Sequence, residues 1–213
     1  MFNKVLSGTL HGVEGRLITV EADVSDGLPA FNMVGFLASE VREASDRVRT
    51  ALKNSDFRFL SKKITINLSP ADVRKEGSAF DLPISIALLA AYGCIPEECI
   101  DNILFIGELS LSGELKAVHG ILSIIDHAKL MGVKTVILPY DNRKEAAIVS
   151  GIKVYGAKTL RQVFEHLTGV NFLAEEPHYQ SRYEADNVED VYSDDFSDVL
   201  GQDSMKRATE IAV

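Results

Sequence analysis

Residues 82–92 (LPISIALLAAY) carry no charged side chain and are apolar on almost every side at helical spacing. Such a helix has no face to offer to water. It must be covered from several directions, so the rest of the chain has to build layers around it. Eleven residues are too few to cross a bilayer, and no other apolar run is longer. Met1-Phe2-Asn3-Lys4 lacks the basic and apolar regions of a secretory signal. Cys94 and Cys99 cannot build a disulfide framework, and no His or second Cys pair lies near them to make a zinc site. The expectation is a cytoplasmic protein with reduced thiols, no metal site and no membrane partner.

Residues 69–83 (SPADVRKEGSAFDLP) join this helix to a short strand, 63–68. In that strand Ile64, Ile66 and Leu68 alternate with Thr65 and Asn67, one face for a core and one for a polar site. A polar, Gly-containing loop ending on a helix N-terminus can present backbone N–H groups to an anion or a reacting carbonyl. Arg74 and Lys75 are candidates for a ligand-facing pair there, against the alternative of a solvated loop edge. Asp81 falls in the first helical turn, where the dipole favours an acid, and fits a cap better than a site residue.

Periodicity predicts the other elements. Strands at 2–10 and 14–22 form a hairpin around His11-Gly12, and 30–34 is a third strand. One amphipathic helix spans 37–54, with Val41, Ala44, Val48, Ala51 and Leu52 on its apolar stripe and Ser39 as N-cap. Beyond residue 100 come a strand at 102–106, a hairpin at 107–116, helices at 121–131, 142–149 and 160–167, and strands at 134–138 and 154–155. That βαβα alternation favours parallel pairing. A mixed α/β domain, 1–172, follows.

The net charge of −9 is unevenly spread. Residues 1–173 hold 20 acids against 19 bases, whereas 174–200 hold nine acids and one Arg. Residues 173–198 therefore read as a flexible, self-repelling linker. Residues 199–213 (VLGQDSMKRATEIAV) resume helical spacing from Gln202, as the start of a second domain would.

Between 42 and 75, nine bases face four acids. Arg42, Arg49 and Lys53 share one side of the predicted helix, away from its apolar stripe. The strip suits a phosphate backbone or an acidic partner; an ordinary solvated face is the alternative. With no aromatic counted among these bases, no stacking platform for single strands is expected.

Four ordered stretches carry a family resemblance: 27–35 (GLPAFNMVG), 42–52 (REASDRVRTAL), 66–83 (INLSPADVRKEGSAFDLP) and 107–120 (GELSLSGELKAVHG). Together they resemble the N-terminal region of the Mg-chelatase-like AAA+ ATPases of the ComM/YifB family. The resemblance implies a Lon-protease-like, ribosomal-protein-S5-like α/β fold, a mixed sheet packed with helices. It also lays the Lon nucleophile position on Ala79, one residue past Ser78, and the Lon lysine position on Leu122. A Ser–Lys dyad needs a hydroxyl and a partly desolvated amine within reach, and these two positions supply neither. By the same resemblance Val199, Gly201 and Gln202 lie beside the adenine in a longer parent. The chain contains no G-x-x-x-x-G-K-S/T, so ATP and Mg²⁺ are expected for the parent and no cofactor for this chain. The parent would be a hexameric, ATP-driven motor acting on DNA in branch migration during natural transformation. Arg47, Arg49 and Lys53 would touch DNA or a neighbouring subunit. A magnesium-chelatase motor subunit, a surviving peptidase and a purely structural collar are the alternatives.

Overall fold

The computed structural model describes residues 1–179 and 201–212. The chain falls into two units, Met1–Tyr179 and Gln180–Val213. The first is built on a seven-stranded sheet of order β3-β4-β2-β1-β5-β8-β9. β1 (Phe2–His11) and β2 (Glu14–Ser25) form the expected antiparallel hairpin. β2 pairs antiparallel with β4 (Lys63–Ser69), which pairs parallel with the edge strand β3 (Ala30–Val34). On the other side of β1, β5 (Ile103–Phe105), β8 (Thr135–Pro139) and β9 (Lys153–Ala157) run parallel, as the alternation after residue 100 predicts. A small ribbon of β6 (Glu108–Leu109) and β7 (Leu115–Lys116) stands apart.

The sheet separates two cores. α2 (Ala44–Asn54), α3 (Asp81–Ala91) and α6 (Leu160–Leu167) contribute to one. α4 (Ile121–Leu130) and α5 (Arg143–Ala146) contribute to the other. Strand periodicity divides the side chains between them: Ile137 joins the first, Val136 and Leu138 the second. Every residue of α3 is buried, which meets the demand its sequence makes. α4 comes close to the hairpin at Gly15, where a Cβ would stand 2.6 Å from Ile124 Cα.

Three elements depart from expectation. Residues 37–54 are two helices, α1 (Ser39–Arg42) and α2, with Glu43 between them. The Glu43 carbonyl accepts from Asp46 N at 3.1 Å and Arg47 N at 3.4 Å, a tightened turn that resets the helix. Ser39 is not the cap. Ala38 holds that position, its N–H donating to Lys75 O at 3.0 Å, so pairing with the later loop decides where α1 begins. Residues 142–149 make only a 3₁₀ turn, Tyr140–Asn142, and the single turn α5. Asn142 is drawn away by both backbone groups of Val118, each bonded at 2.9 Å.

The third departure is the domain boundary. Residues 173–179 are not linker but a strap along the outer edge of β9. Glu175 bridges to Tyr155, and Glu176 N donates to Val154 O at 2.8 Å. Glu176 also pairs with Arg143 at 3.0 Å, both side chains mostly buried. Tyr179 N donates to Ala147 O at 3.0 Å. The remainder of the proposed linker, 180–198, lies outside the described residues. In the second unit α7 (Asp203–Ala212) follows Gly201 and Gln202, whose φ angles are 74° and 60°. No helix among the described residues is long and apolar enough to cross a membrane.

His166 connects the strap to solution pH. Its Nδ1 accepts from Leu173 N–H at 3.1 Å, with Tyr155 and Phe172 packed around the ring. That bond requires Nδ1 to be unprotonated, and burial pushes the imidazole pKa down. A folded-state pKa below the unfolded value of about 6.5 gives stability that is complete above that value and lost as pH falls. The urea midpoint of the chain is expected to drop between about pH 7.5 and about pH 5.5, and His166→Phe to flatten that drop. An unchanged pH profile in His166→Phe would refute the linkage.

Candidate functional site

The strand–loop–helix singled out in the sequence is β4, the loop to residue 80, and α3. Lys75 does not face a ligand. It is fully buried, and its Nζ donates to Pro70 O. Its backbone pairs with Phe36 O at 2.9 Å and Ala38 N at 3.0 Å, so the residue fastens the loop to the β3–α1 connection. Burial pushes its pKa down, with Asp72 acting in the opposite sense. Arg74 is exposed, paired with Glu76 at 2.9 Å and set 5.9 Å over the Phe36 ring. Loop closure thus sends neighbouring cations to opposite environments, and they do not form a ligand-facing pair.

Asp81 is no simple helix cap. It is fully buried and gripped by Arg47, with Nε to Oδ2 at 2.7 Å and Nη2 to Oδ1 at 3.0 Å. Leu109 N–H donates to Oδ2 at 3.1 Å. Burial pushes the Asp81 carboxyl up, and the Arg47 and Leu109 bonds pull it back. Arg47, for its part, is held more firmly protonated by Asp81. Arg47 also donates to Glu40 O at 3.0 Å. It therefore serves the α2–α3 junction, and its guanidinium is taken up by Asp81 and the Glu40 carbonyl rather than presented as a contact residue.

Beside the α3 N-terminus lies a cleft of about 340 Å³. Thr9, Ser78, Ala79, Glu108 and His119 line it. Ala79 brings no nucleophilic atom, and the Ser78 hydroxyl donates to the Glu108 carboxylate. No lysine is among the lining residues. Leu122 is absent from this cleft and lines a separate depression with Ser123, Lys129 and Ile148. The two positions that the resemblance aligns with a dyad do not share one cavity.

Arg42, the last residue of α1, and Lys53 on α2 are exposed, and Arg49 on α2 is half-buried. None of the three has a carboxylate partner among the described residues, although Asp46 lies three residues before Arg49 on α2. The basic segment does contain aromatics: Phe57 and Phe59 flank Arg58. Arg49 lies 5.2 Å over Phe59, and Arg161 lies 4.7 Å over Phe57. Arg161 enters from α6, more than a hundred residues later, and no local pattern announces it. Val199 lies outside the described residues; Gly201 and Gln202 form the turn before α7.

The sheet, the buried α3 and the loop leading into it define a mixed α/β domain. The family model for subunit ChlI of Mg-chelatase matches residues 20–142, and the chain belongs to that Mg-chelatase-like family. It is 40% identical over 210 residues to competence protein ComM of Haemophilus influenzae, covering 98% of this chain and 40% of that protein. It is 42% identical over 200 residues to protein YifB of Escherichia coli, covering 94% and 38%. A weaker similarity, 26% identity over 171 residues, links it to Lon protease 2 of Bacillus subtilis, covering 72% and 30%. The chain thus spans about two fifths of the length of its ComM and YifB relatives.

Proposed function

We propose that this chain is the N-terminal, non-peptidolytic module of a cytoplasmic ComM/YifB-type AAA+ ATPase, and that it positions DNA against an ATP-driven motor. The observation that carries this is the α1–α2 surface, where Arg49 and Lys53 lie one turn apart on α2 and Arg42 closes α1, none with a carboxylate partner among the described residues. A surface of this kind attracts a phosphate backbone and neutralises it. In the longer protein, ATP and Mg²⁺ would be held by a motor assembled as a hexameric ring, with Val199, Gly201 and Gln202 beside the adenine. Identity to a competence protein supports DNA as the substrate. Branch migration during natural transformation is the activity that the family resemblance implies. Ala79 supports the absence of peptidase chemistry.

The match to the Mg-chelatase subunit model favours a second reading, a motor subunit driving metal insertion into a porphyrin. The two part at DNA. Fluorescence anisotropy of a labelled branched duplex, titrated with the chain between about 50 and about 200 mM salt, is the test. The double variant Arg42→Gln/Lys53→Gln is expected to bind more weakly, with a log–log salt slope shallower by about two. An unchanged affinity and slope would remove α2 as the DNA surface.

A further inference from the structure

We infer that the polyanion surface extends past α2 into a ladder of guanidinium groups laid on aromatic rings, and that it grips the phosphodiester backbone rather than the bases. This rests on the DNA-binding reading above. The ladder lies where the α2–β4 connection, residues 55–62 (SDFRFLSK), meets α6. Phe57 and Phe59 pack against the core, and each ring is held edge-on by a second ring. Phe57 meets Phe164 at 4.9 Å and 65°, and Phe59 meets Tyr92 at 6.4 Å and 87°. Arg161 and Arg49 lie over these two rings. Arg161 is fixed further by donating from Nη2 to Ser55 O at 2.6 Å. Arg58, between the two phenylalanines, is exposed and has no carboxylate partner among the described residues. From 49 to 63 the chain carries five bases and one acid, Asp56. Asp56 sits 3.7 Å from Arg161 and offsets part of its charge.

A guanidinium resting on a ring gives up little further rotamer freedom when it binds, and its N–H edge remains available. The cations are therefore set in place before any ligand arrives. Two features select a phosphodiester strand over an acidic peptide. First, no large apolar side chain is exposed on the contributing segments themselves, residues 42–62 and α6. The exposed ones that border them are Leu111, whose carbonyl accepts from Asn54 at 2.7 Å, and Val170 and Phe172 just beyond α6. Peptide docking draws on apolar anchors at its centre, whereas backbone contact needs only charge and donors. Second, Phe57 and Phe59 are engaged by arginines and by the core, so bases have no free ring to stack on.

Anisotropy titrations of the full chain with a labelled duplex, a single strand of equal length and a polyglutamate peptide test this. Arg58→Gln and Arg161→Gln are each expected to weaken duplex binding several-fold and reduce the salt slope by about one. Phe59→Leu keeps every charge. It is expected to weaken binding several-fold at unchanged slope, and Phe59→Tyr to restore it. If Phe59→Leu fails to fold, the exposed Arg58 decides the matter alone. The ladder is refuted, and the α2 surface kept, if Arg58→Gln and Arg161→Gln leave the slope intact while Arg42→Gln/Lys53→Gln still lowers it. Both readings fall if the chain binds no DNA. Polyglutamate binding as well as duplex at equal charge, or a single-strand preference lost in Phe59→Leu, would also overturn the inference.

Discussion

Replacing Arg47 by alanine is expected to destabilise the domain by about 3–5 kcal/mol. The magnitude follows from what would be left behind. Asp81 has no solvent contact, and two of its three short hydrogen bonds come from Arg47. Without the guanidinium, a carboxylate remains buried with one backbone N–H as partner. Burial, which already pushes its pKa up, would then act almost unopposed. A folded-state pKa raised above the unfolded value of about 3.9 leaves stability intact below that value and removes it as pH rises. The loss in Arg47→Ala is therefore expected to be smaller near pH 4 than near pH 7. Arg47→Met combined with Asp81→Leu, which removes both charges, is expected to recover most of it. Urea unfolding followed by far-ultraviolet circular dichroism measures all three. A cost under about 1 kcal/mol for Arg47→Ala would show that the pair does not fasten α2 to α3.

Gly15→Ala is expected to cost about 3 kcal/mol, near the upper end for overpacking, because the obstacle is backbone. The added Cβ would meet Ile124 Cα at 2.6 Å and Ser123 C at 2.7 Å, so the first turn of α4 would have to move. Gly12→Ala in the same hairpin is the control. Its surroundings are open, but its φ is +63°, so only conformational strain of about 1 kcal/mol applies. The same unfolding assay should rank Gly15→Ala well above Gly12→Ala. Equal costs would mean that α4 does not press on the hairpin.

The framework of the fold was legible because periodicity records burial. Ile64, Ile66 and Leu68 alternate and are buried, and the uncharged stretch is buried from Leu82 through Ala91. Partners distant in sequence were not legible. A helical wheel places Arg47 on a polar flank but cannot reveal a carboxylate 34 residues away. Arg74 and Lys75 look alike as neighbouring bases, and only loop closure onto Phe36 and Ala38 separates them. Composition misjudged Glu175 and Glu176, which open an acidic segment yet belong to β9 and Arg143. In the candidate site, Phe57 and Phe59 were open to inspection in the chain itself. Arg161 was not, since its contact with Ser55 joins residues 106 apart in the chain.

The strap on β9 has a colloidal consequence. A terminal strand with bare amides and carbonyls is a template on which another chain can add, and so a route to aggregation. Here Glu175 and Glu176 occupy that rim with the protein's own backbone, sealing one of the two ends of the sheet against such growth. The seal is held in part through an unprotonated His166. Protonation of His166 in mild acid breaks its bond to Leu173 N–H, so the seal is expected to loosen there first, and light scattering of the chain to rise as pH falls.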